Sequence, residues 1–279
     1  MADLLLTLAG RKWNGTAFVG GAVVRLNSSG TWVELTSGGA IAWNLNEFTF
    51  SDGSTVLFYI QAGGYISGST RPRPGALFRS VDLGVTWANV TPSSGLSEFA
   101  EDIAQDADGD LWLVTDERDT HSSTATGKPS RIYKSTDKGA TWTLKHTSAV
   151  SAFDRHFMLF NITCHPTDSL KILVETAEMV GWNSRITRSL DGGATWTVIT
   201  PTIPSPPVGP SNTAGTTQQA FNYTTAGAVV WAGSFETPLD DLFVLRSIDD
   251  GSTWTVQYTE GSGSEFCTGF VEANVTAYM

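Results

Sequence analysis

The chain has 279 residues, a formal net charge of −11 and a pI near 4.7, so nucleic acids and anionic membrane surfaces would repel it. With 28 Gly, 10 Trp and only 16% charged residues, it has no stretch of the Ala/Glu/Lys/Leu-rich kind that builds helices, and it reads as many short strands joined by turns. The opening "MADLLLTLAGRKW" carries no basic leader region and too short an apolar run for a signal peptide or a membrane span, so no membrane insertion is expected.

In chain order, "LLLTLAG" (4–10) reads as the first strand and leads to "RLNSSGTW" (25–32). "NEFTF" (46–50), "TVLFYI" (55–60), "ALFRS" (76–80) and "TWANV" (86–90) follow as four strands, labelled a to d, around the string "SVDLGVTW" (80–87). "EDIAQ", "DLWLVT", "RIYKS" and "TWTLKH" repeat the series around "STDKGATW" (135–142). "KILVET" (171–176) and "RITRS" precede "SLDGGATW" (189–196), and "AVVWAG" (228–233) and "FVLRS" precede "SIDDGSTW" (247–254). Between these last two sets lies 200–215, a loop holding five of the 11 Pro.

The string S-x-D-x-G-x-T-W thus occurs four times, with a worn copy at 25–32 in which Arg25, Asn27 and Ser29 replace Ser, Asp and Gly. Its tryptophans, Trp32, Trp87, Trp142, Trp196 and Trp254, are 55, 55, 54 and 58 residues apart, so five units run from end to end. Four antiparallel strands per unit of this length describe a propeller blade. The expected fold is all-β: a five-bladed β-propeller forming a single domain over residues 1–279. The chain starts at the second strand of its first blade, and "TGFVEANVTAYM" (268–279) stands where a first strand should follow Trp254. Pairing of that C-terminal strand with the N-terminal blade would close the ring and leave no open edge.

The string itself suits the c–d turn. Asp82, Asp137, Asp191 and Asp249 can accept backbone N–H bonds, the Gly can take a positive φ, and the Ser and Thr hydroxyls can tie the ends. Trp87, Trp142, Trp196 and Trp254 are expected to pack between blades. The pattern resembles the Asp-box, or BNR repeat, of sialidases and related β-propellers. The resemblance implies a propeller whose boxes lie on the face opposite the binding site, in a family of hydrolases, sorting receptors, assembly factors and virion proteins. Sialidases of that family have six blades, three carboxylate-gripping arginines, a Tyr/Glu nucleophile pair, an Asp acid/base and an R-I-P motif, and that set does not assemble here. "RPRP" (71–74) has the wrong order and place, while Arg79, Lys134, Arg188 and Arg246, each one residue before a box Ser, are expected to line blade surfaces.

Ligand chemistry is then expected on the face opposite the boxes. The b–c loops offer Arg71, Arg73, Asp116, Glu117, Arg118, His121, Glu178, Trp182 and Glu236, and a d–a loop adds Asp154, Arg155 and His156. Such a rim suits a sugar or a polar peptide. A glycosidase would need two paired carboxylates. Asp116, Asp154, Glu175 and Glu236 are the candidates, expected as loop or strand-end charges.

Asp106, Asp108 and Asp110 have the spacing of a calcium loop, but the Gly falls at the fourth place and a strand follows, which favours an a–b hairpin turn. The four His show no zinc spacing with Cys164 and Cys267, two thiols expected to be reduced and buried, so no metal or cofactor is expected. The Asn-x-Ser/Thr triplets at Asn14 and Asn161 carry no weight in so Thr-rich a chain. The resulting expectation is a non-enzymatic module of a phage virion that binds other virion proteins or a host-surface glycan. A five-bladed glycoside hydrolase and a cytoplasmic interaction scaffold are the alternatives.

Overall fold

The structure is a computed structural model that describes residues 4–13, 18–26, 30–34, 42–61, 76–92, 99–116, 129–148, 157–178, 183–199, 220–234 and 242–260. Short β-branched and aromatic runs broken by Gly- and Asp-rich turns form 19 strands among them. The first sheet holds β1 (Leu4–Trp13), β2 (Phe18–Leu26) and β3 (Trp32–Glu34). The second holds β4 (Ala42–Thr49), β5 (Thr55–Gln61), β6 (Leu77–Ser80) and β7 (Ala88–Asn89). β8 (Phe99–Gln105), β9 (Leu111–Asp116), β10 (Arg131–Ser135) and β11 (Thr143–Thr147) make the third. The fourth has β12 (Phe157–Cys164), β13 (Ile172–Glu178), β14 (Asn183–Ser189) and β15 (Thr197–Ile199). The fifth has β16 (Ala220–Tyr223), β17 (Val229–Ser234), β18 (Leu242–Ser247) and β19 (Thr255–Glu260). Each sheet is an antiparallel meander with its strands in chain order. The strands expected between residues 4 and 260 are present; 200–219 and 261–279, with Cys267 and the C-terminal strand expected to close the ring, lie outside the described residues.

The chain divides into two compact units, Met1–Gln105 with Gly109–Thr147, and Asp106–Asp108 with Ser148–Met279. In the first unit, Val56, Phe58 and Ile60 of β5 pack with Leu77, Ile103, Leu111, Leu113 and Tyr133, which joins the second sheet to the third. In the second, Leu173 and Ile186 of the fourth sheet pack with Phe221, Val229, Trp231, Leu245 and Trp254 of the fifth. Cys164 is buried in β12.

Second strands are buried on both faces, and for that reason "VLFYI" reads as an apolar run rather than an alternation. Their register is common to four sheets: Leu57, Leu111, Ile172 and Val229 each face the box serine, Ser80, Ser135, Ser189 or Ser247. Residues of β5, β9, β13 and β17 can therefore be matched one to one. First strands β8 and β12 each slip register once, between Ala100 and Asp102 and between Leu159 and Ile162. Such bulges re-aim side chains.

Candidate functional site

The four full boxes close by the same bonds. In the second sheet Ser80 Oγ donates to Asp82 Oδ1 at 2.7 Å and accepts the Gly84 amide at 2.8 Å. Thr86 donates its amide to Asp82 Oδ1 at 2.8 Å and its hydroxyl to Oδ2 at 2.6 Å. The set recurs around Asp137, Asp191 and Asp249. Thr86 and Thr195 hold the Asp82 and Asp191 carboxyls down at about 2. At Asp137 and Asp249 burial opposes the fall, yet the Thr and Ser donors keep both below the usual carboxylate range.

Trp142 and Trp254 join clusters that span two sheets, as expected, and Trp254 Nε1 donates to Gly251 O at 3.0 Å. Trp87 instead packs edge-on against Tyr59 of its own sheet at 4.7 Å.

Two of the four basic residues before the box serines, Arg79 and Arg188, clamp neighbouring sheets. Arg79 Nε donates at 2.7 Å to the carbonyl of Lys138, the fourth box residue of the next sheet. Arg188 Nη1 does the same to Asp250 at 3.0 Å and reaches Ser252 Oγ at 2.6 Å. The fourth residue's own side chain reaches back to the preceding sheet's first hairpin. Lys138 bonds Asp52 and Ser54, whereas Asp250 pairs with Lys171 at 3.0 Å, the same bridge with its charges exchanged. Lys134 pairs with Asp110 at 2.8 Å inside its own sheet. The turn proposed as a calcium loop is the β8–β9 hairpin: Asp106 Oδ1 accepts the Asp108 amide at 3.1 Å, and Gly109 takes φ +89°. Among the described residues no three His, Cys, Asp or Glu side chains gather as metal ligands.

In the four four-stranded sheets the boxes and first hairpins share one end, so β9 and β13 finish at the other, at Asp116 and Glu178. These two predicted site residues close corresponding strands, Asp116 opposite Phe99 and Glu178 opposite Phe157 and Asn183. Arg71, Arg73, Glu117, Arg118, His121, Asp154, Arg155, His156, Trp182 and Glu236 lie outside the described residues.

Glu175 departs from the expectation of a loop or strand-end charge. It sits inside β13, only 1% exposed, at the place taken by Ile60 in β5 and Val114 in β9. The β12 bulge brings Asn161 opposite it, and Asn161 Nδ2 donates to Glu175 Oε2 at 2.6 Å; Oε1 is buried with no hydrogen-bond partner among the described residues. Burial pushes the carboxyl up to about 7 against the donations of Asn161 and Trp231. A carboxyl so enclosed can hold a proton but presents it to no solvent-borne ligand. Neither Asn161 nor Trp231 stood out in the sequence as a partner of the acid, because the register of β12 against β13 brings the first to it and the packing of the fifth sheet on the fourth brings the second.

No family model matches the chain. It is 26% identical over 203 residues to xyloglucanase Xgh74A of Acetivibrio thermocellus and 28% identical over 200 residues to a xyloglucanase of a Paenibacillus species. Each match takes in 64% of this chain, which spans only 22% and 18% of those relatives. Among solved structures, the Hadza microbial sialidase Hz136 aligns with a TM-score of 0.56 at 16% identity, over 93% of this chain and 56% of its own. A protein of unknown function from Dyadobacter fermentans aligns at 0.58 and 15% identity, over 91% and 78%. The α-L-arabinofuranosidase Arb93A of Fusarium graminearum aligns at 0.52 and 12% identity, over 79% and 66%. These likenesses give the chain a β-propeller-type fold, shared with glycoside hydrolases and a sialidase.

Proposed function

We propose that this chain is a non-enzymatic, glycan-binding β-propeller module carried on a phage particle, with five blades, Asp-box turns and a ring closed by its C-terminal strand. The observation that carries glycan binding is the match over 64% of the chain to two xyloglucanases, joined by structural likeness to propellers named for sugar hydrolysis. The box end is committed to turn and clamp bonds, which leaves the ligand to the opposite end, where Asp116 and Glu178 close their strands. The non-enzymatic reading rests on Glu175, whose carboxyl is spent between sheets rather than set over a substrate. The virion setting rests on an acidic chain poor in charged residues; its partners there would be other particle proteins or a host-surface glycan.

Calorimetric titration with xyloglucan oligosaccharides, arabino-oligosaccharides and sialyllactose, with product analysis of each mixture, tests this reading. Saturable binding without new reducing ends is the expected result. A second reading, glycoside hydrolysis, is favoured by the names of the relatives, and turnover lost on changing Asp116 or Glu178 would establish it over the first.

A further inference from the structure

Three sheets offer a direct comparison at one position. Where β5 has Ile60 and β9 has Val114, both buried aliphatic side chains, β13 has Glu175. The matching positions are filled by aliphatic side chains, and burying a carboxyl with one oxygen lacking a partner among the described residues works against stability. Its surroundings favour the neutral form by burial alone. Asn161 of β12 donates to Oε2, Ile186 of β14 lies beside it as cross-strand partner, and the Trp231 side chain of β17 donates to it from the fifth sheet, two bonds that offset only part of the cost of burial.

The charged and titratable groups of the same sheet-to-sheet contact stand at the box end and are occupied with one another. Arg188 holds Asp250 and Ser252, Lys171 and Tyr223 hold the Asp250 carboxylate, and the His165 ring stacks edge-on against Tyr223 at 5.0 Å. Arg185 faces Thr176, on the other side of β13 from Glu175. No cation described in that contact is placed to neutralise an ionised Glu175.

We propose that Glu175 is a proton-operated latch on the packing of the fourth sheet against the fifth: protonated, it lets β13 seat against Trp231, and ionised, it loosens that contact. The direction follows from linkage. The unfolded chain ionises this carboxyl near its ordinary 4.5, the folded chain only near 7, so the folded state is favoured most at low pH and loses stability between the two values. Above the higher value the loss is complete and constant. Its size corresponds to a shift of about 300-fold in the unfolding equilibrium.

Urea unfolding of wild type and Glu175→Gln across pH 4.5 to 8.5, followed by tryptophan fluorescence, tests the latch, since the difference between the two removes every other titration. Wild type should lose ground to the variant steadily up to about pH 7 and run parallel to it above. Parallel profiles throughout, or a variant less stable than wild type at pH 8.5, would overturn the proposal. Should the amide fail to fold, Glu175→Ile, which installs the residue of β5, serves in its place. Carbon-13 titration of the Glu175 carboxyl in the wild-type chain is an independent reading, and a midpoint at the ordinary 4.5 would also defeat the latch.

Discussion

The fourth residue of each box sits in the left-handed region whatever its side chain: Leu83, Lys138 and Asp250 have φ of 57°, 59° and 54°, and Gly192 has 69°. A leucine there carries the steric penalty of that region. Leu83→Asn should therefore raise stability by about 0.5–1 kcal/mol, because Asn tolerates left-handed φ and an exposed apolar group is removed. A fall in the urea midpoint would contradict this. The next residue allows no such freedom: Gly139 has φ 77°, and a β-carbon built on it runs into the Phe58 ring. Gly139→Ala should cost about 2–4 kcal/mol, read as a lower melting temperature.

Asp137→Ala removes the acceptor for the Thr141 amide and for two hydroxyls, at about 1–2 kcal/mol. Since the Asp137 carboxyl lies below its ordinary 3.8, that contribution is present above 3.8 and fades as pH falls through and below it. The gap between wild type and variant should therefore narrow in acid. A gap that stays constant down to the acid-unfolding limit would show that the carboxylate's bonds are not its source.

At the scale of elements, the two clamps exchange their charges while keeping their geometry: Lys138 to Asp52 in one unit, Asp250 to Lys171 in the other. The bridges are partly exposed and screened by solvent, so either alone contributes little to stability. What the exchange supplies is discrimination, because a lysine at the fourth place suits an acidic hairpin and repels a basic one. Lys138→Asp should destabilise by facing Asp52 with a like charge, and adding Asp52→Lys should recover most of the loss. A double-mutant cycle with no coupling would remove the bridge from the account.

The clamp also marks the limit of what the sequence conveys. Arg79 and Arg188 were legible as blade-lining residues from their place before the box serine. That each donates to a carbonyl in the following sheet depends on how sheets stack, which no local pattern records. The roles of Ser, Asp, Gly and Thr in the boxes were readable, since they act within eight residues of one another, whereas the left-handed fourth residue was not. Glu175 was misread for the opposite reason: the string "ILVETAE" gives no sign that its acid meets a bulge on one side and the next sheet's tryptophan on the other.

For the whole molecule, the repeat spacing carried the all-β architecture, because among the described residues each sheet is a meander whose strands pair with their chain neighbours. Ring closure belongs to a different class of statement, since it joins residues some 260 positions apart in sequence. On the proposed closure, deleting residues 265–279 deprives the first sheet of its fourth strand, and the truncated chain should lose cooperative unfolding or aggregate through the open edge. A truncation that stays monomeric with an unchanged melting temperature would contradict it. On the proposed reading, binding likewise draws on loop residues far apart in the sequence, from Arg71 to Glu236, that no local pattern relates.

The central claim, glycan binding at the end opposite the boxes without hydrolysis, is tested most directly by amide hydrogen exchange in the presence and absence of xyloglucan oligosaccharides. The account predicts slower exchange in segments 62–75, 117–128, 149–156, 179–182 and 235–241, which follow the second strands or precede β12, with the box turns at 80–87, 135–142, 189–196 and 247–254 unchanged and the oligosaccharides intact. Protection centred on the box turns, no protection anywhere, or shortened oligosaccharides would contradict it.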